Sequence, residues 1–114
     1  ESSRPRAMEN MGISAEEEVD RGAIWCSITG YGRNLHPNRV GFGDDAAAAG
    51  CLLAQVDKSL WFVGDATADP LTGATAAALT HGLWFAGSSG LIDISLAATS
   101  QMHTHGVIPK GIMW

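Results

Sequence analysis

The chain has 114 residues, 46% of them hydrophobic and 17% charged, which places it among globular proteins and allows at most one domain. Its net charge of −5 argues against a nucleic-acid binder, which would show a basic face. No signal peptide is visible and the apolar runs are too short to span a bilayer, so no membrane partner is expected.

In chain order, Ser2-Ser3-Arg4-Pro5-Arg6 predicts a turn, with Pro5 opening a short helix over 5–11 that Gly12 stops. Ser14-Ala15-Glu16-Glu17 has the form of a capping box and predicts a second short helix running through Val19. Ala23-Ile24-Trp25-Cys26-Ser27-Ile28-Thr29-Gly30 is apolar, barely alternates and is rich in strand formers, as in a strand of a parallel sheet buried on both faces. Gly30-Tyr31-Gly32 ends that strand in a loop reaching Gly43, and ligands of parallel sheets gather at such carboxyl ends.

A helix is predicted over 44–54, acidic at its start, where an interior Gly50 costs about 1 kcal/mol against alanine and so marks close packing. A short strand, Leu60-Trp61-Phe62-Val63, then leads into Gly64-Asp65-Ala66-Thr67-Ala68-Asp69-Pro70-Leu71-Thr72-Gly73. Asp69 before Pro70 predicts an N-cap followed by proline at the first helical position of a helix over 70–85. A carboxylate there faces the positive end of the helix. By itself the stretch fits a plain cap better than a nucleophile. Leu91-Ile92-Asp93-Ile94-Ser95-Leu96 alternates as a strand does, and beyond residue 96 the signal for regular structure fades. Alternating strands and helices make α/β the expected class. The implied sheet is incomplete. With a start at Glu1 rather than methionine and a half-apolar tail ending at Trp114, the expectation is a piece of a longer chain.

Several features invite functional readings. Arg4, Arg6, Arg21, Arg33 and Arg39 all precede Asp44, Asp45, Asp57, Asp65 and Asp69, an order that would suit a phosphorylated ligand with its reactive group at the far end. An ordinary solvated surface has the same composition. Gly41-Phe42-Gly43-Asp44-Asp45-Ala46 fits a dinucleotide fingerprint with Asp65 about twenty residues on. The long preceding loop and the two carboxylates, which would repel a pyrophosphate, point instead to a chance match. Asp44, Asp45, Asp65 and Asp69 match no magnesium loop, and His103-Thr104-His105 lacks a third ligand, so no metal is expected. His36 and His81 stand alone. Trp25, Trp61 and Trp84 lie in apolar runs and are expected in the core. Cys26 and Cys51 also sit in apolar runs without basic neighbours to activate them, as reduced, buried thiols of a cytoplasmic protein would.

Taken together, these segments resemble the family III CoA-transferases, the CaiB–BaiF or formyl-CoA transferase family, collinearly over about the first hundred residues. Ser3-Arg4-Pro5-Arg6 with Met11-Gly12-Ile13 looks like the family's R-P-x…L-G-[IL] segment, and Ser27-Ile28-Thr29-Gly30-Tyr31-Gly32 like its S-I-[ST]-G-[FY]-G strand end. Gly41-Phe42-Gly43-Asp44-Asp45 with Ala49-Gly50 is similar to its [GA]-[FY]-[DE]…[AS]-G helix. Asp69-Pro70-Leu71-Thr72-Gly73 matches its G-D-x-x-[TA]-G element, and Gly90-Leu91-Ile92-Asp93-Ile94-Ser95-Leu96 its G-x-x-V-D-[VL]-S-[LM] element.

The resemblance implies a segment of the Rossmann-like, parallel-sheet large domain. Residues 1–43 would supply helices, a buried strand and a loop, 44–96 the catalytic segment, and 97–114 the start of a truncated region. It further implies transfer of coenzyme A between an acyl-CoA thioester and a carboxylic acid, both substrates, with no permanently bound cofactor. The reaction would pass through a covalent aspartyl intermediate that divides one hard transfer into easier steps, its oxyanions stabilised by backbone N–H groups at a helix start.

Asp69 would be the nucleophile, set in register by Thr72-Gly73, although Ala68 replaces the family's preceding glycine. Asp65, which follows Gly64, is the rival. Asp44 or Asp45 would fall near the acidic residue beside the nucleophile, and Arg4 and Arg39 near contacts to CoA phosphates. The alternatives are an α-methylacyl-CoA racemase or epimerase of the same superfamily, disfavoured by the lack of a G-H-D motif, and a non-catalytic nucleotide-binding α/β domain. Members form interlocked homodimers, so the piece alone is expected to be inactive. The connection between Leu79 and Gly90 is shorter than the family's usual loop, which marks a divergent branch.

Overall fold

A computed structural model of the chain describes residues 1–3 and 5–104. Arg4, the side chains of Pro5 and Arg6, and the tail from His105 onward lie outside the described residues.

Helix α1 (Pro5–Asn10) ends before Gly12, whose φ of +74° favours glycine. Helix α2 (Ala15–Asp20) starts at Ser14, whose side chain accepts the Glu17 N–H as the capping pattern predicts. Strand β1 (Ile24–Thr29) runs parallel to β4 (Gly90–Ser95), with Ile24 opposite Gly90 and Thr29 opposite Ser95. Among the described residues β1 is half-buried apart from the fully buried Ser27, and thus less enclosed than its composition predicts. Glu1 hydrogen-bonds along β1 as well: its N-terminal amine donates to Cys26 O at 2.7 Å, and its carbonyl accepts Ile28 N–H at 2.9 Å.

Between the two parallel strands lie α3 (Gly43–Ala49), the antiparallel hairpin β2 (Leu53–Val56) and β3 (Ser59–Phe62), and the long helix α4 (Ala68–Phe85). Helix α5 (Leu96–His103) follows β4 directly. α4 packs on both β1 and β4, while α5 lies against α3 and α4. One core cluster joins Ala46, Ala47, Ala68 and Leu96; another joins Ala76, Ile92 and Ile94, and Ile28 packs against both. The buried positions of α4 are Ala68, Thr72 and Ala76, four residues apart. That spacing places small side chains on one stripe and lets the helix approach the sheet closely. The result is a mixed α/β fold with a parallel sheet, as the alternation of elements predicts.

Four expectations need correction. The helix expected over 44–54 ends at Ala49, and residues 53–56 form β2. Gly50 is the C-cap rather than an interior residue, and Cys51 turns the chain with φ +59°. The inferred close packing is nonetheless present, since a Cβ on Gly50 would collide with the Ala97 carbonyl and lie 2.5 Å from Ser100 Cβ. Helix α4 starts at Ala68 with Thr67 as N-cap, which places Asp69 inside the first turn and Pro70 third in the helix. Proline is tolerated there because the first N–H groups of a helix have no intrahelical partner. Trp61 and Trp84 are 60% and 70% exposed, not core, because β3 has four residues and its side chains are exposed throughout, and Trp84 lies off the buried stripe of α4. Finally, residues 96–103 are helical although their periodicity is weak; Ser95 caps them by accepting Ala98 N–H at 3.2 Å.

Candidate functional site

The carboxyl end of β1 opens into a loop whose ends are fastened by side chains. Thr29 Oγ1 accepts Gly32 N–H at 2.8 Å, and both oxygens of Asp93 lie 3.1 Å from Arg33 N, which donates to them. Ser95 Oγ donates to Gly30 O at 3.2 Å, and Ala97 N–H donates to the same carbonyl. The ends of both parallel strands and the start of α5 are thereby held together. Tyr31 is buried beneath the loop, with the Arg39 guanidinium 3.9 Å from its ring centroid, a contact worth about 0.5–1 kcal/mol at an exposed site.

Over this strand end lies a cavity of about 370 Å³. Its walls include Thr29 and Gly30 from the strand end, His36 and Arg39 from the loop, Gly43 from α3 and Asp69 from α4. This is where open parallel sheets bind ligands. Asp69 reaches the cavity because Gly43 has no side chain: a Cβ there would lie 2.6 Å from Asp69 Oδ2 and 2.9 Å from Ala66 Cβ. The structure therefore brings Asp69 and Arg39 to one cavity and leaves Asp65 outside its lining; both aspartates are exposed.

Asp44 and Asp45 are engaged elsewhere. Asp44 Oδ1 accepts Ala66 N–H at 3.0 Å, and Asp45 Oδ2 reaches back along α3 to accept Phe42 N–H at 3.2 Å. Neither lines the cavity. Asp69 N–H, at the start of α4, donates to Ala66 O at 3.0 Å. His36, which from the sequence stands alone with a surface or packing role as the default, lines the cavity and meets the Tyr31 ring edge-on at 6.5 Å between centroids. Its place in the loop beyond the carboxyl end of β1 was the available signal. No group of three or more His, Cys, Asp or Glu poised for a metal occurs among the described residues, and none of the described helices is long and apolar enough to cross a membrane. Cys26 and Cys51 are free thiols, the latter buried.

No protein-family model and no curated protein matches the sequence. Among solved structures, the chain is similar to a CAIB/BAIF family protein from Brucella suis, at TM-score 0.75 and 21% identity over 89% of this chain and 29% of that one. It is also similar to Rv3272 from M. tuberculosis, at TM-score 0.73 and 18% identity over 96% of this chain and 36% of that one. The chain thus spans about a third of the length of these structures. What it shares with them is a fold: a mixed α/β segment with a parallel sheet, like that found within a CAIB/BAIF family protein.

Proposed function

We propose that the chain is part of a family III CoA-transferase, in which Asp69 is the nucleophile that carries an acyl group and then coenzyme A between an acyl-CoA and a carboxylic acid. The observation that carries this reading is the position of Asp69. Of the two aspartates between β3 and the first turn of α4, it alone lines the cavity at the strand end.

In this reading a carboxylate oxygen of Asp69 attacks the thioester carbonyl, the C–S bond breaks, and CoA leaves as thiolate. The thiolate then attacks the aspartyl carbonyl of the mixed anhydride and expels the donor acid, leaving an aspartyl-CoA thioester. The acceptor carboxylate reverses the two steps. No net proton or electron is needed, which suits a site whose nucleophile is a carboxylate. Arg39 is exposed at the cavity and braced on Tyr31; in this reading it meets a CoA phosphate as a charge-assisted donor. The fold likeness to a CAIB/BAIF family protein supports the reading, as do the ordered motifs. The interlocked homodimer and cytoplasmic location belong to the same proposal.

The test is hydroxylamine trapping with acyl-CoA in the whole protein. Asp69 is expected to be modified, and Asp69→Asn is expected to lose transfer by at least about 10³-fold, as expected when the covalent nucleophile is removed. Abolition of transfer by Asp65→Asn, with Asp69→Asn still active, would overturn the assignment.

His36 gives the superfamily's other chemistry a foothold. The His36 imidazole and the Asp69 carboxylate both line the cavity, and as acid and base two such groups would exchange a proton alpha to a thioester carbonyl. Deuterium entering that α-carbon without CoA transfer would select the racemase reading.

A further inference from the structure

We infer that Asp44 is a positioning residue: its carboxylate clamps the left-handed turn at Ala66 and so aims Asp69 into the cavity. This rests on Asp69 being the reacting group. The geometry forms a short chain. Asp44 Oδ1 accepts Ala66 N–H at 3.0 Å across 22 residues of sequence, in a partly buried setting. Ala66 has φ +46°, a conformation that alanine adopts only under constraint. The carbonyl of that residue accepts Asp69 N–H at 3.0 Å, and its Cβ stands beside Gly43, the same glycine that makes room for the Asp69 carboxylate.

The two ends of the device are therefore adjacent residues of α3, Gly43 and Asp44. One leaves space for the nucleophile; the other holds the turn that delivers it. A charged acceptor suits this task, because hydrogen bonds to a carboxylate are stronger than neutral ones and can maintain a conformation the turn would otherwise leave. Asp44 does not line the cavity. Its effect on the reaction passes through the backbone of 66–69, not through contact with substrate.

The experiment compares Asp44→Ala, Asp44→Asn and the double variant Asp44→Ala/Ala66→Gly in the whole protein, reading kcat, KM and amide hydrogen exchange across 64–69. Asp44→Ala is expected to lower kcat by about 10- to 100-fold with KM within about 2-fold, the signature of a misplaced reacting group. Exchange across 64–69 should rise. Asp44→Asn keeps an acceptor oxygen and should retain kcat within about 5-fold. In the double variant glycine adopts the left-handed turn unaided, and most of the lost kcat should return.

Equal losses in Asp44→Asn and Asp44→Ala without rescue by Ala66→Gly would overturn the proposal, since they would mean that the charge itself acts on substrate. Unchanged exchange across 64–69 in Asp44→Ala would overturn it as well. If Asp69→Asn kept full transfer activity, the functional reading would fall separately, and the exchange data would still decide whether the clamp exists.

Discussion

Asp44, Asp45, Asp65 and Asp69 carry the same chemical group, and their partners separate them. Two accept backbone N–H groups that fix the start of α3 and the turn at Ala66, and of the other two, both exposed, Asp65 lies away from the cavity while Asp69 lies against a glycine on its wall. In sequence all four are short acids near helix starts, which is why capping and catalysis were both open for Asp69. The structure moves the cap to Thr67 because Ala66 already turns the chain, so Asp69 is a first-turn residue.

Glu16 offers a test at the same scale. Its own backbone N–H, then the Ser14 hydroxyl and, more weakly, the Arg33 guanidinium hold its carboxylate below the ordinary value of 4.5. A carboxylate depressed in the folded state adds stability above that value and loses the contribution as pH falls through the folded one. The side chain is fully exposed, so the contribution is small and screened. Ser14→Ala should move the Glu16 titration upward in a carboxyl NMR titration, while costing about 0.5–2 kcal/mol from the lost cap of α2.

At the scale of elements, local signals were legible where a single residue dictates the backbone. Ser14 starts α2, and the alternation of residues 91–96 marks β4. They failed where two segments compete. The apolar run after Gly50 continues a helical composition, yet its residues pair with β3 because Cys51 breaks the helix and the hairpin satisfies their backbone groups. Gly50 shows how packing overrides propensity. Within a helix, alanine would gain about 1 kcal/mol over glycine. At this C-cap the added methyl meets the backbone of α5 around Ala97 and Gln101, so Gly50→Ala should instead destabilise by about 1–3 kcal/mol, an overpacking cost. A lower urea midpoint at unchanged slope would show it.

Across the fold, Ile28 packs against both core clusters seen among the described residues, one formed by α3, α4 and α5 and the other by α4 and the sheet. Ile28→Ala should cost about 2 kcal/mol or more despite partial exposure, because the vacated space borders both clusters. Denaturant unfolding measures the loss, and a neutral effect would mean the clusters repack independently.

The α/β alternation, most helix starts, the strand ends and the acids available for chemistry are legible along the chain, because these depend on neighbours within a few residues. Folding in three dimensions sets which acid faces the cavity, that Asp44 and Asp45 hold backbone instead, that Trp61 and Trp84 are exposed, and that residues after Ser95 form a helix. Each of those outcomes turns on contacts between distant segments: Gly43 against Asp69, Asp44 against Ala66, and Gly50 against Ala97. Such a contact depends on where two backbones meet in space, and spacing along one chain does not encode that meeting directly.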